Sequence, residues 1–88
     1  MASCRFLVRG RVQGVGYRYF AMQEAEGLGV AGFARNLPDG SVEVMAEGDD
    51  PVLLQLEERL RKGPSFAKVA AVERVDVAPR GGQGFHIR

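Results

Sequence analysis

Gly32-Phe33-Ala34-Arg35-Asn36-Leu37-Pro38-Asp39-Gly40-Ser41-Val42-Glu43-Val44 occupies the middle of the chain and decides how the rest is arranged. Pro38-Asp39-Gly40 is a turn signal, because proline fixes one φ and glycine permits a positive one. The flanking runs, Val30 to Leu37 and Ser41 to Glu47, read as strands. In the second, Val42, Val44 and Ala46 fall on one face. Together they predict an antiparallel hairpin.

A helix is predicted on each side of this hairpin. Over Tyr17 to Leu28, Tyr17, Ala21, Ala25 and Leu28 line up at helical spacing with Phe20 beside them, and Gly27 and Gly29 supply stop signals. After the hairpin, Asp49 or Asp50 can cap a helix with Pro51 in its first turn. Leu53, Leu56 and Leu60 form its apolar stripe with Val52, and Gly63-Pro64-Ser65 ends it. Further out lie two more strands. Cys4 to Arg11 alternates, with Cys4, Phe6 and Val8 on one face and Arg5, Leu7 and Arg9 on the other. Val69 to Val77 alternates imperfectly, and Phe85 and Ile87 mark a short last strand. The order β-α-β-β-α-β predicts an α+β, ferredoxin-like split βαβ: an antiparallel sheet with both helices on one face and right-handed crossovers.

The 88 residues suffice for one domain, 1–88, and are too few for two. A formal net charge of +1 makes no case for a nucleic-acid or membrane partner. Arg5, Arg9, Arg11 and Arg18 all precede the first acid, Glu24, so the opening third reads as electropositive, or as a set of arginines facing solvent. Cys4 is the only cysteine and reads as a small buried strand residue. Apolar runs fall short of a membrane span, and Met-Ala-Ser-Cys-Arg lacks the apolar stretch of a signal peptide, so a cytoplasmic location is expected.

The fold does not choose a function. The loop between the first strand and first helix is more informative. In Gln13-Gly14-Val15-Gly16-Tyr17-Arg18, two glycines let successive backbone N–H groups turn toward one point, and the first helical turn adds unpaired N–H groups. A phosphate fits such a place, and Arg18 can offer its fork to two oxygens. On the glycines alone, a plain tight turn with an exposed arginine is an equal reading. The loop is neither a nucleotide P-loop, lacking Gly-Lys-Ser/Thr, nor a dinucleotide fingerprint.

Gly10-Arg11-Val12-Gln13-Gly14-Val15-Gly16-Tyr17-Arg18-Tyr19-Phe20 resembles the first signature of the acylphosphatase family. Gly32-Phe33-Ala34-Arg35-Asn36, Gly40-Ser41-Val42 and Gly48 resemble the second. The resemblance spans essentially the whole chain. It implies a ferredoxin-like fold, hydrolysis of the carboxyl–phosphate bond of acylphosphates, and no cofactor or metal. By position it implies Arg18 as the substrate-binding arginine and Asn36 as the residue holding the attacking water. The backbone of Gln13, Gly14, Val15, Gly16, Tyr17 and Arg18 matches the phosphate cradle. Tyr17 stands where phenylalanine is common, and Leu37 where many animal members carry Thr or Ser.

The expected partner is a small acylphosphate, with inorganic phosphate or sulfate able to occupy the loop. Neither nucleic acid nor membrane is expected, and the default state is a free-standing monomer, although the sheet face bearing Leu7 offers a dimer surface. An amide does not titrate usefully, so Asn36 orients water and the proton passes to a phosphate oxygen or to solvent. His86 reads as a surface strand residue, and Arg35 as added positive potential beside Asn36 or an exposed strand arginine. Two other functions fit the element order: an RNA-binding module and a noncatalytic anion sensor. The first lacks the usual aromatic-basic strand motifs. The second sits poorly with the presence of both Arg18 and Asn36.

Overall fold

A computed structural model describes residues 1–88. The elements are β1 (Ala2–Arg11), α1 (Tyr17–Gly27), β2 (Ala31–Asn36), β3 (Val42–Gly48), α2 (Asp50–Lys62), β4 (Lys68–Val77) and β5 (Phe85–Ile87). The sheet order is β4-β1-β3-β2-β5. β1, β2, β3 and β4 pair antiparallel, β2 with β3 as the central hairpin requires. β5 is the exception, pairing parallel to β2 through Gly32↔Phe85 and Ala34↔Ile87. The sheet is therefore mixed rather than wholly antiparallel. The reason is the path of residues 78–84. β4 finishes beside Ser3, the end at which β2 begins, so a chain returning along the β2 edge must run in the same direction as β2.

Alternation sorts the two faces of the sheet. Cys4, Phe6 and Val8 of β1, Val42 and Val44 of β3 and Ala34 of β2 are fully buried. They pack in one cluster with Tyr17, Ala21 and Ala25 of α1 and Leu53, Leu56 and Leu60 of α2, so both helices cover the same face. Each fully buried Leu or Phe contributes roughly 1.5–3 kcal/mol relative to exposure. Tyr17 adds a polar link, its hydroxyl donating to the Leu60 carbonyl at 2.7 Å and joining the two helices. β4 is an edge strand in which Val72 alone is buried, which explains its blurred alternation.

Asp49 occupies the N-cap of α2, but its side chain makes no capping bond; its backbone carbonyl accepts from Val52 and Leu53. On the face away from the helices, Glu43 lies between Arg5 and Arg35, the latter at 2.6 Å. Phe33 is covered by Arg88, whose guanidinium carbon is 4.1 Å from the ring centroid. Glu47 accepts the N–H groups of Arg80, Gly81 and Gly82 at 2.8, 3.1 and 3.2 Å and so anchors the segment leading to β5.

Candidate active site

β1 and β2 both run antiparallel to β3, and β5 runs with β2, so the C-terminal ends of all three lie at one end of the sheet. The register is tight there: Val42 of β3 pairs with Val8 on one side and Asn36 on the other. The loop leaving β1 and the end of β2 therefore meet across a single intervening strand.

A recess of about 160 Å3 opens at this point, and its walls include Gly14, Gly16, Arg18, Tyr19, Asn36 and Ile87. Arg18 and Asn36, 18 residues apart in sequence, border the same cavity. The Asn36 side chain is exposed and engaged by no hydrogen bond from the protein. Arg18 is half-buried and donates through Nη1 to the main-chain oxygen of Arg88 at 2.8 Å, which orients the guanidinium from the β5 side.

The loop backbone is open. Gly14 and Gly16 have φ of 73° and 77°, the left-handed region that favours glycine. Gly16 is the N-cap of α1 and provides no side-chain cap. No backbone N–H from Gln13 to Tyr19 finds a backbone acceptor outside regular structure, and the first that does is Phe20, donating to Gly16 at 3.0 Å. A run of unpaired donors at a helix N-terminus can take the oxygens of a tetrahedral anion. The Gln13 side chain serves a different purpose. Its Nε2 donates to the carbonyls of Leu37 and Ser41 at 2.8 and 2.9 Å, tying the loop to the hairpin that carries Asn36. That hairpin is closed by Gly40 N–H to Leu37 O at 3.1 Å and by Ser41 N–H to Asp39 Oδ1 at 2.9 Å. The Ser41 bonds, with Arg9 nearby, hold the Asp39 carboxyl below its ordinary range.

The arginines of the opening third divide in two. Arg5 is paired with Glu43, and Arg9 with Glu73 and Asp39, so neither is a free cation. Arg18 and Arg11 pair with no Asp or Glu side chain. Arg35 is turned to Glu43 on the opposite face of the sheet, so its charge is spent there rather than beside Asn36. Tyr17 belongs to the loop through its backbone only. Burial pushes its phenol well above the ordinary range, and the hydroxyl points to Leu60. His86 is exposed beside the Gln83 carbonyl, lining a separate recess of about 350 Å3 with Phe33, Glu47 and Arg80. Burial of Cys4 pushes its thiol up to about 11, as fits a core residue.

No group of three or more His, Cys, Asp or Glu side chains is gathered to hold a metal, and no helix is long and apolar enough to cross a membrane. Three contributors have no signal in the sequence. From the sequence Gln13 has only a backbone role, because its side-chain tie depends on a hairpin two dozen residues away. Ile87 reaches the cavity, and the main-chain oxygen of Arg88 reaches Arg18, only through the parallel pairing of β5.

The family model described as Acylphosphatase matches residues 4–87. The acylphosphatase of Thermus thermophilus is 52% identical over 81 residues, covering 92% of this chain and 92% of its own length. That of Methanocella arvoryzae is 41% identical over 88 residues, covering all of both chains. The crystal structure of acylphosphatase from Bacillus subtilis superposes with a TM-score of 0.97 at 38% identity, over 100% of this chain and 99% of that one.

Proposed function

Because the chain belongs to the acylphosphatase family, we propose that the recess between Arg18 and Asn36 is where it carries out the family reaction, with the loop 13–18 as phosphate cradle. The enzyme hydrolyses an acylphosphate to a carboxylate and inorganic phosphate. The observation that carries the site assignment is the convergence of Arg18, Asn36 and the unpaired loop amides on one small cavity.

An acylphosphate already has a good leaving group, a carboxylate, so departure needs no strong general acid. What the protein must supply is a grip on the phosphoryl oxygens, compensation of their charge, and a water aimed in line. Amides of the loop and the Arg18 fork provide the first two. Asn36 accepts from or donates to the water and fixes its approach. As the water oxygen bonds to phosphorus, the bond to the acyl oxygen breaks and its electron pair leaves with the carboxylate. The water's proton goes to a phosphate oxygen or to solvent. None of these steps uses a metal. The main-chain oxygen of Arg88 holds Arg18 by one nitrogen and leaves the rest of the fork for the substrate. Inorganic phosphate or sulfate, sharing the tetrahedral shape, is expected to compete for the loop. Residues 1–88 act as one unit, as a monomer, and the expected setting is the cytoplasm.

The test is hydrolysis of an aromatic acylphosphate in the presence of a chelator, with spontaneous hydrolysis subtracted, for the wild type, Arg18→Ala and Asn36→Ala. The wild type turns over. Arg18→Ala loses phosphate binding, and Asn36→Ala mainly loses kcat. Undiminished turnover in folded Asn36→Ala removes the water-positioning role. Phosphate binding without turnover in the wild type makes the cradle an anion sensor.

A further inference from the structure

Next to the cradle lies a second recess of about 630 Å3, bordered by Arg11, Gly14, Val15, Phe66, Ala67 and Lys68. Three features set it apart from ordinary surface. The Phe66 ring, on the turn between α2 and β4, is 80% exposed and belongs to no core cluster, while Val15 and Ala67 beside it pack against the core. Arg11 and Lys68 are direct partners across the β1–β4 ladder, and neither makes an ion pair. Like charges placed opposite one another are unfavourable unless something negative joins them. Finally, Gly14 borders this recess and the catalytic one, whereas Asn36 borders only the latter.

In an in-line displacement the attacking and leaving oxygens stand on opposite sides of phosphorus. With water held at Asn36, the acyl group departs away from Asn36, and the groove beyond Gly14 is available to receive it. Resting on the catalytic reading above, we propose that this groove is the acyl subsite. It selects acyl groups that combine an apolar body, laid against Phe66 and Val15, with a second carboxylate reaching Arg11 and Lys68. Phe66 is then a specificity-determining residue, and the two cations recognise a dicarboxylic acyl group.

The experiment compares acetyl phosphate, benzoyl phosphate and benzoyl phosphate bearing a para-carboxylate. Wild type, Phe66→Ala and the double variant Arg11→Gln/Lys68→Gln are assayed for kcat and KM, and each substrate is read as a ratio to acetyl phosphate in the same variant. Phe66→Ala is expected to raise KM for both aromatic substrates about threefold to tenfold relative to acetyl phosphate. The double variant is expected to remove a preference of about threefold to tenfold for the carboxylated substrate over benzoyl phosphate. Unchanged ratios in Phe66→Ala overturn the subsite. A double variant that loses kcat/KM equally for all three substrates, with the loss vanishing at high salt, overturns the carboxylate recognition and assigns the two cations to phosphate steering. Failure of the wild type on every substrate, acetyl phosphate included, overturns the catalytic reading itself.

Discussion

Gln13 Nε2 lies 2.8 Å from the carbonyl of Leu37, the residue that follows Asn36, so one side chain couples the loop after β1 to the strand end that presents the asparagine. Its second bond, to Ser41, reaches the other arm of the same hairpin. Gln13→Ala removes both and frees the two halves of the site to drift apart. The expected stability cost is about 1–2 kcal/mol. The expected loss in kcat is larger, about 10- to 100-fold, because small misplacements of reacting groups are expensive. Urea unfolding and steady-state kinetics on the same preparation separate the two. A stability loss with kcat intact would make the tie purely structural.

Gly16 and Gly27 stand just before and at the end of the same helix and give opposite expectations. A Cβ at either meets nothing within 4 Å, so space decides neither case. Gly16 has φ of 77°, whereas Gly27 has no positive φ. Gly16→Ala therefore costs about 1–2 kcal/mol of backbone strain or turns the loop amides out of position. Gly27→Ala, helical, gains about 0.5–1 kcal/mol. Inhibition by inorganic phosphate weakens in the first variant and not in the second. Equal inhibition constants for the two would separate the cradle from its glycine geometry.

Tyr17 separates folding from chemistry. Its hydroxyl is buried and donates at 2.7 Å to Leu60, yet its backbone belongs to the proposed phosphate cradle. Tyr17→Phe keeps the ring and deletes one buried bond, for an expected loss of about 1–2 kcal/mol. For a domain of this size that lowers Tm by roughly 4–8 °C per kcal/mol. Turnover is expected to stay within a factor of about two, since only the backbone faces the substrate. A large fall in kcat at a temperature where the variant is folded would give the phenol a chemical role.

Much of this was readable in the chain. Pro38-Asp39-Gly40 and the alternation on either side fix the hairpin, and the leucine stripe of α2 and the Tyr17, Ala21, Ala25 stripe of α1 emerge buried as their spacing requires. Local patterns suffice where neighbours in sequence determine the outcome. They fail where distant segments meet. The parallel pairing of β5 depends on the course of residues 78–84, and no periodicity encodes that course. The electropositive opening third shrinks because Arg5 finds Glu43 and Arg9 finds Glu73, partners 38 and 64 residues away. The same long reach conceals the Gln13 tie and the grip of Arg88 on Arg18.

Glu43 makes stability depend on acidity. Burial alone would raise its carboxyl, but the bonds and charges of Arg5 and Arg35 outweigh that and hold it below its ordinary value of 4.5. A depressed carboxyl contributes stability above its unfolded pKa and loses it as pH falls through the folded one. The contribution is therefore whole at neutral pH and declines below pH 4.5. Asp39 and Glu47 are shifted the same way, by the Ser41 bonds and by the Gly81 and Arg80 amides respectively, and they steepen the same acid limb. Glu43→Gln is expected to cost about 1–3 kcal/mol at pH 7, since two half-exposed arginines lose a shared partner. It should also flatten part of the decline below pH 4.5. Parallel slopes for wild type and variant in acid would show that Glu43 is not depressed.

The pH dependence of turnover tests the absence of an enzymic base. The cavity walls contain no carboxylate, histidine or thiol. Asn36 does not titrate, and the Tyr17 phenol, raised by burial, points away to Leu60. His86 stands on the other side of the sheet beside Gln83, and Cys4 is in the core with its thiol pushed up to about 11. Proton removal from the water then falls to the substrate phosphate or to solvent, which suffices if the proton leaves late in a loose, dissociative transition state. The expectation is that kcat stays flat from about pH 5 to 8, where an essential histidine or raised carboxyl would produce a limb. KM is left to follow the ionisation of the substrate phosphate. The decisive control is the profile measured with two acylphosphates whose phosphate groups titrate at different pH. A limb in kcat that keeps its position for both substrates belongs to the protein, and it would mean that a base from outside the cavity enters during turnover.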